Sequence, residues 1–477
     1  MGKKLSFFQK KLKNTGSFLK QPQKSHWFVE FTLVAFLALL TGAIGGFAAI
    51  AFRYIIDWGW LGFHVGLDKA LGSTHHGYWI ILLPAMGLLL VSLITNYFAS
   101  EVKGDGAAQG LEALSIKDGV IKPKVGFWSN IAAAITLGSG GSAGREGPIA
   151  LIGATFGSNV GQLLRMPPQY VSLLLACGAG AGIAATFNAP IAGTFFGLEI
   201  MLGTYAVGSI VPVLLASVSG VTVFNQFMGS EAVLEIPHYS EVGIFSIFSM
   251  LILGFFTALT GHLFVRGVEW TSEKNDQVLL PFWLKAFVGG LVVGVIGYFY
   301  PGVLGVGYPI LHQALKGEFI LTVLLGLFVA KYLVTVMTLG SGGSGGGFAP
   351  SLFLGGMLGG AYGNILHFFY PVIATTPQVY AAAGMAGLLA ATAKAPFVAV
   401  TILLEVTGDY RITAHAMAAS ASSYFLFSAL SDDSMYTIGL SKRGVPIPYE
   451  IYHHPLCAKI RTICVSKKTR KLNRESS

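Results

Sequence analysis

Charge is what this chain of 477 residues has least of: Asp, Glu, Lys and Arg make up 11% of it, where soluble domains carry roughly 25%. So few charges cannot cover a water-facing surface, which excludes a soluble globular protein. Cysteine is scarce as well. Cys177, Cys457 and Cys464 are too scattered for a disulfide framework, and the last two sit among basic residues near the C-terminus, where a cytoplasmic setting keeps thiols reduced. A cleaved signal peptide is excluded, because the basic stretch before the first apolar run is too long and the run exceeds the usual length of roughly 7–15 residues. What is abundant is apolar: 53% hydrophobic residues and a mean hydropathy of +0.66. Stretches 31–52, 79–97, 207–224, 244–265, 282–299 and 320–339 are each long enough for a hydrocarbon layer of about 30 Å, which takes about 20 residues. Gly-rich apolar sequence also covers 147–202 and 350–430. The expected class is an all-α integral membrane protein.

The few charges are unevenly placed. Residues 1–24 carry seven lysines and no acid, and 456–477 carry Lys459, Arg461, Lys467, Lys468, Arg470, Lys471 and Arg474 against Glu475. Basic flanks stay in the cytoplasm, so both termini are expected there, in the plasma (inner) membrane as the simplest setting. Polybasic ends beside apolar spans meet lipid headgroups rather than nucleic acid. Met1-Gly2-Lys3-Lys4-Leu5-Ser6 also fits the loose myristoylation pattern, a match short enough to be chance.

The chain repeats itself. Leu137-Gly138-Ser139-Gly140-Gly141-Ser142 recurs 202 residues later as Leu339-Gly340-Ser341-Gly342-Gly343-Ser344; Gly144 then matches Gly346 and Pro148 matches Pro350, eight agreements in twelve positions. At an offset of 206, Ala184-Ala185-Thr186 with Ala189-Pro190 matches Ala390-Ala391-Thr392 with Ala395-Pro396, and Glu199 and Glu405 each fall nine residues after their proline. The expected organisation is a basic cytoplasmic segment (1–28), a first transmembrane half (29–228), a connecting loop (229–241), a second half (242–445) and a basic tail (446–477). Duplicated halves with Gly- and Pro-interrupted apolar segments point to a transporter with its site at the repeat interface.

The glycine loops carry the chemistry. Glycine lets backbone approach a ligand closely, and proline suits a helix's first turn, so each loop should feed a helix whose free N–H groups face back toward it. Such an end attracts anions without a full cation. Close helix packing is the plainer use of such glycines, but two copies with the same following proline favour a site between the halves. No Gly-Lys-Ser/Thr follows either loop, against a nucleotide P-loop. Arg145-Glu146 lies inside the first loop; ionisable groups in apolar surroundings mark function, and a carboxylate that competes with a transported anion is a gate. A plain Arg–Glu ion pair is the alternative. A membrane-embedded hydrolase using Ser139 or Ser142 would need a histidine base, and His262, His367 and His415 all fall outside the repeated motifs.

Gly144-Arg145-Glu146-Gly147-Pro148 resembles the GREGP signature of the CLC family of chloride channels and chloride/proton antiporters. Gly346-Gly347-Phe348-Ala349-Pro350 resembles its GxFxP motif, Gly104-Asp105-Gly106 stands where its first motif is expected, and Tyr436 in Ser434-Met435-Tyr436-Thr437 looks like its late anion-binding tyrosine. The likeness covers about 29–445. It implies two inverted halves of tilted and broken helices, a homodimer with one pore per subunit, chloride or a related anion as cargo with protons as possible co-substrate, and no metal or cofactor. It also implies a short form without the CBS domains of many relatives. Glu146 would be the gating glutamate, and Asp105, Gly106, Arg145, Gly147, Gly347, Phe348, Ala349 and Tyr436 would surround the anion. Two positions depart from the family. Asp105 replaces the usual Ser, so its side chain turns away, is protonated, or goes with another anion such as fluoride or nitrate. Ile200 stands where proton-coupled relatives often carry a second glutamate, which favours an uncoupled channel, while the short bacterial-like architecture favours an exchanger; both stay open. Glu199 beside it, with its partner Glu405, reads as a structural hydrogen-bonding residue.

Overall fold

The computed structural model describes residues 24–66, 77–98, 105–229, 244–371 and 375–446. The basic ends, Gly104 and nearly all of the expected 229–241 connection lie outside them. The described chain is helical throughout, and its elements fall into two series of eight that match one another in order. The first is α1 (Lys24–Trp60), α2 (Leu82–Tyr97), α3 (Gly106–Ile116), α4 (Pro123–Gly138), α5 (Glu146–Leu163), α6 (Pro168–Phe187), α7 (Pro190–Phe195) and α8 (Val207–Met228). The second is α9 (Ile244–Gln277), α10 (Phe282–Phe299), α11 (Tyr308–Leu315), α12 (Leu321–Gly340), α13 (Phe348–Phe369), α14 (Pro377–Ala393), α15 (Pro396–Thr407) and α16 (Thr413–Leu430), with a short α17 (Ile438–Lys442) after it. The 202-residue offset maps α2 to α5 onto α10 to α13, and the 206-residue offset maps α6 to α8 onto α14 to α16. The duplication read from two loops therefore extends from α2 through α8 and from α10 through α16.

Eight helices among the described residues are long and apolar enough to cross a membrane. Six coincide with the expected stretches; the other two, Pro168–Phe187 and Phe348–Phe369, lie in the Gly-rich regions. Helix α9 continues past the predicted 244–265 to Gln277, because hydropathy falls there while helix-forming residues persist and Arg266 pairs with Glu269 at 3.0 Å along the same face. Proline starts α4, α6, α7, α14 and α15, where its missing N–H costs nothing. Left-handed Asn188 and Lys394, at φ 53° and 54°, end α6 and α14 at equivalent positions, and Ala-Pro restarts the chain two residues later as the short α7 and α15. Each half thus contains a broken helix.

Glycine brings the helices together. Between apolar lipid tails there is little hydrophobic drive for helices to associate, so van der Waals contact at small residues does the work. α5 and α6 cross at Gly153 and Gly178, where a Cβ on either would lie 2.1 or 2.0 Å from the other's carbonyl oxygen. α13 and α14 cross in the same way at Gly355 and Gly384. Gly178→Ala is expected to destabilise the protein by about 1–3 kcal/mol through overpacking. Thermal unfolding in detergent checks this against Gly208→Ala, which has open space around it and should leave the melting temperature unchanged.

Candidate functional site

The two glycine loops meet at the middle of the fold. Gly144 and Gly346, equivalent residues of the two halves, form an antiparallel bridge: the Gly144 N–H donates to Gly346 O at 2.6 Å and the Gly346 N–H to Gly144 O at 2.9 Å. A residue paired with its own repeat mate lies on the pseudo-two-fold axis. Side chains obey the same symmetry, since the Ser142 N–H donates to Thr338 Oγ1 and the Ser344 N–H to Thr136 Oγ1, both at 3.1 Å. Immediately beyond the bridge, Arg145 and Gly347 are the N-caps of α5 and α13. Pro148 and Pro350 sit in the first turns, as expected, so two helix N-termini face one another across the axis.

Asp105 supplies the third. It is the N-cap of α3, and its Oδ1 accepts from the Ala107 N–H at 2.9 Å. The same carboxylate reaches across to the other loops: a Cβ on Gly147 would lie 2.3 Å from Oδ1, a Cβ on Gly346 would lie 3.2 Å from Oδ2, and the carboxylate faces the Gly347 amide. The side chain therefore does not turn away. It rests on the converging starts of α3, α5 and α13. Gly106 belongs to the same contact, since a Cβ on it would meet Gly147 O at 2.5 Å.

Glu146 takes the other side of the axis. Its carboxylate is 1% exposed. Oε1 accepts from the Tyr308 hydroxyl at 2.6 Å; Oε2 makes no full hydrogen bond and faces the Ala349 amide at the start of α13. A Cβ at 144 would come within 2.4 Å of Oε2 and 3.0 Å of Gly346 O, so any larger residue there would displace the Glu146 carboxylate. The Arg145 guanidinium lies over the Tyr308 ring, 5.3 Å from its centroid, while Glu146 takes its hydrogen bond from the hydroxyl of that tyrosine. Phe348 packs against Phe187, with centroids 5.6 Å apart, walling the site with apolar surface.

Two contributors escaped the sequence reading. Tyr308, the first residue of α11 and repeat mate of Gly106, has no signal in the motifs. Lys331 had one: a lone cation within the apolar run of α12. It is fully buried, and its Nζ donates to Val303 O and Gly305 O at 2.9 Å and to Val306 O at 3.2 Å. An ammonium has three donors, and all three pin the turn that leads into Tyr308.

Glu199 and Glu405 have the structural part expected of them, in a reciprocal form. Glu199 accepts from the Phe397 and Val398 N–H groups at 3.3 and 2.9 Å, capping α15. Glu405 accepts from those of Ile191 and Ala192 at 2.9 and 2.7 Å, capping α7. Each half thus caps the broken helix of the other. Ile200 is 4% exposed in the apolar core. Ser139 donates to Thr136 O and Ser142 bonds Thr335, so both hydroxyls are engaged in helix packing, and buried His415 bonds Ser246.

A cavity of ≈ 920 Å³ leads to this junction from the side on which the chain passes into its tail. Asp105 and Tyr436 line it, whereas Glu146 does not. Beyond Asp105 its charged lining is Lys117, Lys122, Lys442 and Arg443 against Glu112 and Glu269, a cationic excess that raises local anion concentration. The carboxylates are already paired: Glu112 with Lys117 and Arg443, Glu269 with Lys442, each at 2.8 Å.

A family model described as voltage gated chloride channel matches residues 87–428. The chain is 33% identical over 416 residues to a ClcB-like chloride channel protein of Ralstonia nicotianae, covering 85% of this chain and 96% of that one. It is 30% identical to the voltage-gated ClC-type chloride channel ClcB of Escherichia coli, covering 84% and 97%. Among solved structures, a slow cyanobacterial Cl−/H+ antiporter superimposes with a TM-score of 0.77 at 24% identity, over 86% of this chain and 97% of that one. That likeness establishes the fold, two inverted halves included.

Lys331→Met is expected to leave three carbonyl groups without their donor, at about 1–3 kcal/mol for each that stays unsatisfied. A lowered melting temperature, together with reduced anion flux, is the predicted result. Flux and stability equal to those of the unaltered protein would remove Lys331 from the scaffold of the site.

Proposed function

The chain belongs to the voltage-gated chloride channel (CLC) family, and from that premise we propose that it moves chloride across the membrane in exchange for protons, with Glu146 as the gating carboxylate. It is a multi-pass integral membrane protein. The observation that carries the proposal is the position of Glu146: a carboxylate facing the Ala349 amide in the first turn of α13, with one oxygen that makes no full hydrogen bond, where an incoming anion would need that same amide. Chloride and this carboxylate are competitors for one seat. A proton on Glu146 weakens its hold on the helix N-terminus, since the dipole end favours the charged form, and releases it to swing out. Anion passage and proton passage are linked by that exchange.

The remaining parts support transport rather than catalysis. Gly147, Gly347 and Ala349 present amides, Tyr436 borders the approach, and the cationic cavity collects anions. The positive-inside rule makes the tail side, and hence the cavity, cytoplasmic, with both termini on that side. The homodimer follows from the family resemblance. Asp105 in place of the usual Ser makes fluoride and nitrate the competing cargoes to test. A second reading, an uncoupled channel, is favoured by one observation: Ile200 lies in apolar core and offers no protonatable group.

The test is protein reconstituted in liposomes under a chloride gradient, with valinomycin holding the voltage, while chloride efflux and external pH are recorded together. Uphill proton movement driven by chloride is expected; chloride efflux with no proton movement would replace the exchanger by a channel. Glu146→Ala is expected to retain chloride flux and to lose all proton movement, and coupling that survives the change would overturn the assignment of the gate.

A further inference from the structure

Asp105 does more than cap α3. An N-cap needs a single acceptor, and Oδ1 supplies it to the Ala107 N–H at 2.9 Å. Asn or Ser would serve as well there. The second oxygen faces the opposite half of the protein at Gly346 and the Gly347 amide, so one carboxylate touches three helix starts from both repeats. Its repeat mate is Gly307, the N-cap of α11, which has no side chain to offer. The two halves differ here by a charge, as they do at Arg145 and Glu146, whose repeat mates are Gly347 and Phe348. The two carboxylates also differ in access: Asp105 is partly exposed and lines the ≈ 920 Å³ cavity, whereas Glu146 is buried and does not. Gln109, one turn further along α3, lines the same cavity, and both its amide atoms are buried without a protein partner.

We infer that Asp105 is a tethered anion holding the cytoplasmic seat of the site, and that a proton taken from water in the cavity frees that seat for the transported anion. The step is a proton transfer only: hydronium gives a proton to the Asp105 carboxylate, leaving water and a neutral carboxyl. While ionised, the carboxylate both occupies the amides and repels a second negative charge. Once neutral it does neither. The charged and titratable groups that face it are Glu146 on α5 and Tyr436 in the loop before α17. The cavity acids Glu112 and Glu269 are held by Lys117, Arg443 and Lys442. The proton on Asp105 supplies from the cytoplasmic face the titratable group that Ile200 does not. The inference rests on the reading of this junction as the anion site.

The experiment is calorimetric titration of sodium chloride into purified full-length protein across a series of pH values. A Glu146→Gln background is used, so that the outer carboxylate contributes no proton. With Asp105 present, the apparent Kd should rise roughly tenfold per pH unit on the alkaline side, the slope of one proton taken up per anion bound. Adding Asp105→Asn, which keeps the cap and removes the charge, should abolish the slope and leave binding tight at alkaline pH. Asp105→Ser is a second variant with the same expectation. A slope that persists in both, or a flat profile with Asp105 present, overturns the inference while leaving the anion site standing. No chloride binding in any variant, together with no chloride flux in liposomes from the unaltered protein, would instead sink the reading of the site itself.

Discussion

The pairing of Gly144 with Gly346 is the contact on which the rest of the structure depends. Two hydrogen bonds between equivalent backbone positions place the pseudo-two-fold axis there, and the backbone scaffold near it comes in twos. Threonine hydroxyls cap the facing serine amides, helices α5 and α13 start one residue after their N-caps, and the two broken helices are capped by each other's glutamates. A Cβ at either bridge residue would be crowded, at 3.0 Å for Gly144 and 3.2 Å for Gly346, and Gly140, Gly342 and Gly345 hold positive φ, which together explain why glycine recurs through the loops. Irregular backbone of this kind survives at membrane depth only when it is enclosed in protein or borders a cavity, and here it does both.

Much of this arrangement was legible in the sequence. The duplication announced two halves, the Gly-rich loops with their prolines announced helix starts, Glu146 stood out as an acid in apolar surroundings, and Asp105 stood out where the family resemblance expects a serine. The correspondence of Glu199 with Glu405 pointed to a structural pair. What the sequence could not convey was that each glutamate caps the partner half's helix, because a hydrogen bond spanning about two hundred residues leaves no local trace. Tyr308 was invisible for a related reason. It occupies the repeat position of Gly106, and only folding brings it to Glu146. Lys331 was legible in principle as a cation in an apolar helix, yet its purpose depends on the turn at 303–306, which carries no motif.

The exception to symmetry is as informative as the symmetry. If both halves had kept the same residues, the site would look alike from its two sides, and no direction could be built into it. Here one side has Asp105 and a wide, cationic approach. The other has Gly307, Tyr308 and a carboxylate enclosed by protein. Lys331 belongs to that second side. Its three hydrogen bonds to carbonyl oxygens meet the donor requirement of a buried ammonium and hold the turn that presents the Tyr308 hydroxyl. A buried cation this well satisfied acts on Glu146 chiefly through geometry, by fixing the donor that Glu146 accepts from.

The presence of two acids at the proposed anion site follows from the backbone itself. The first amides of any helix have no acceptor within the helix, and an unsatisfied N–H deep in a membrane protein costs several kcal/mol. Three helix starts meeting at one point therefore require acceptors at all times, whether or not an anion is bound. Asp105 and Glu146 help fill that requirement: one accepts from Ala107 and faces the Gly347 amide, the other faces Ala349. A hydroxyl could accept from these amides too, but it could not be removed from competition by a proton. A carboxylate can, because protonation takes away the charge that the helix dipole favours. On the proposed function, the groups that satisfy these amides are the same groups that give way when an ion passes, so gating and the stability of the junction rest on the same two side chains.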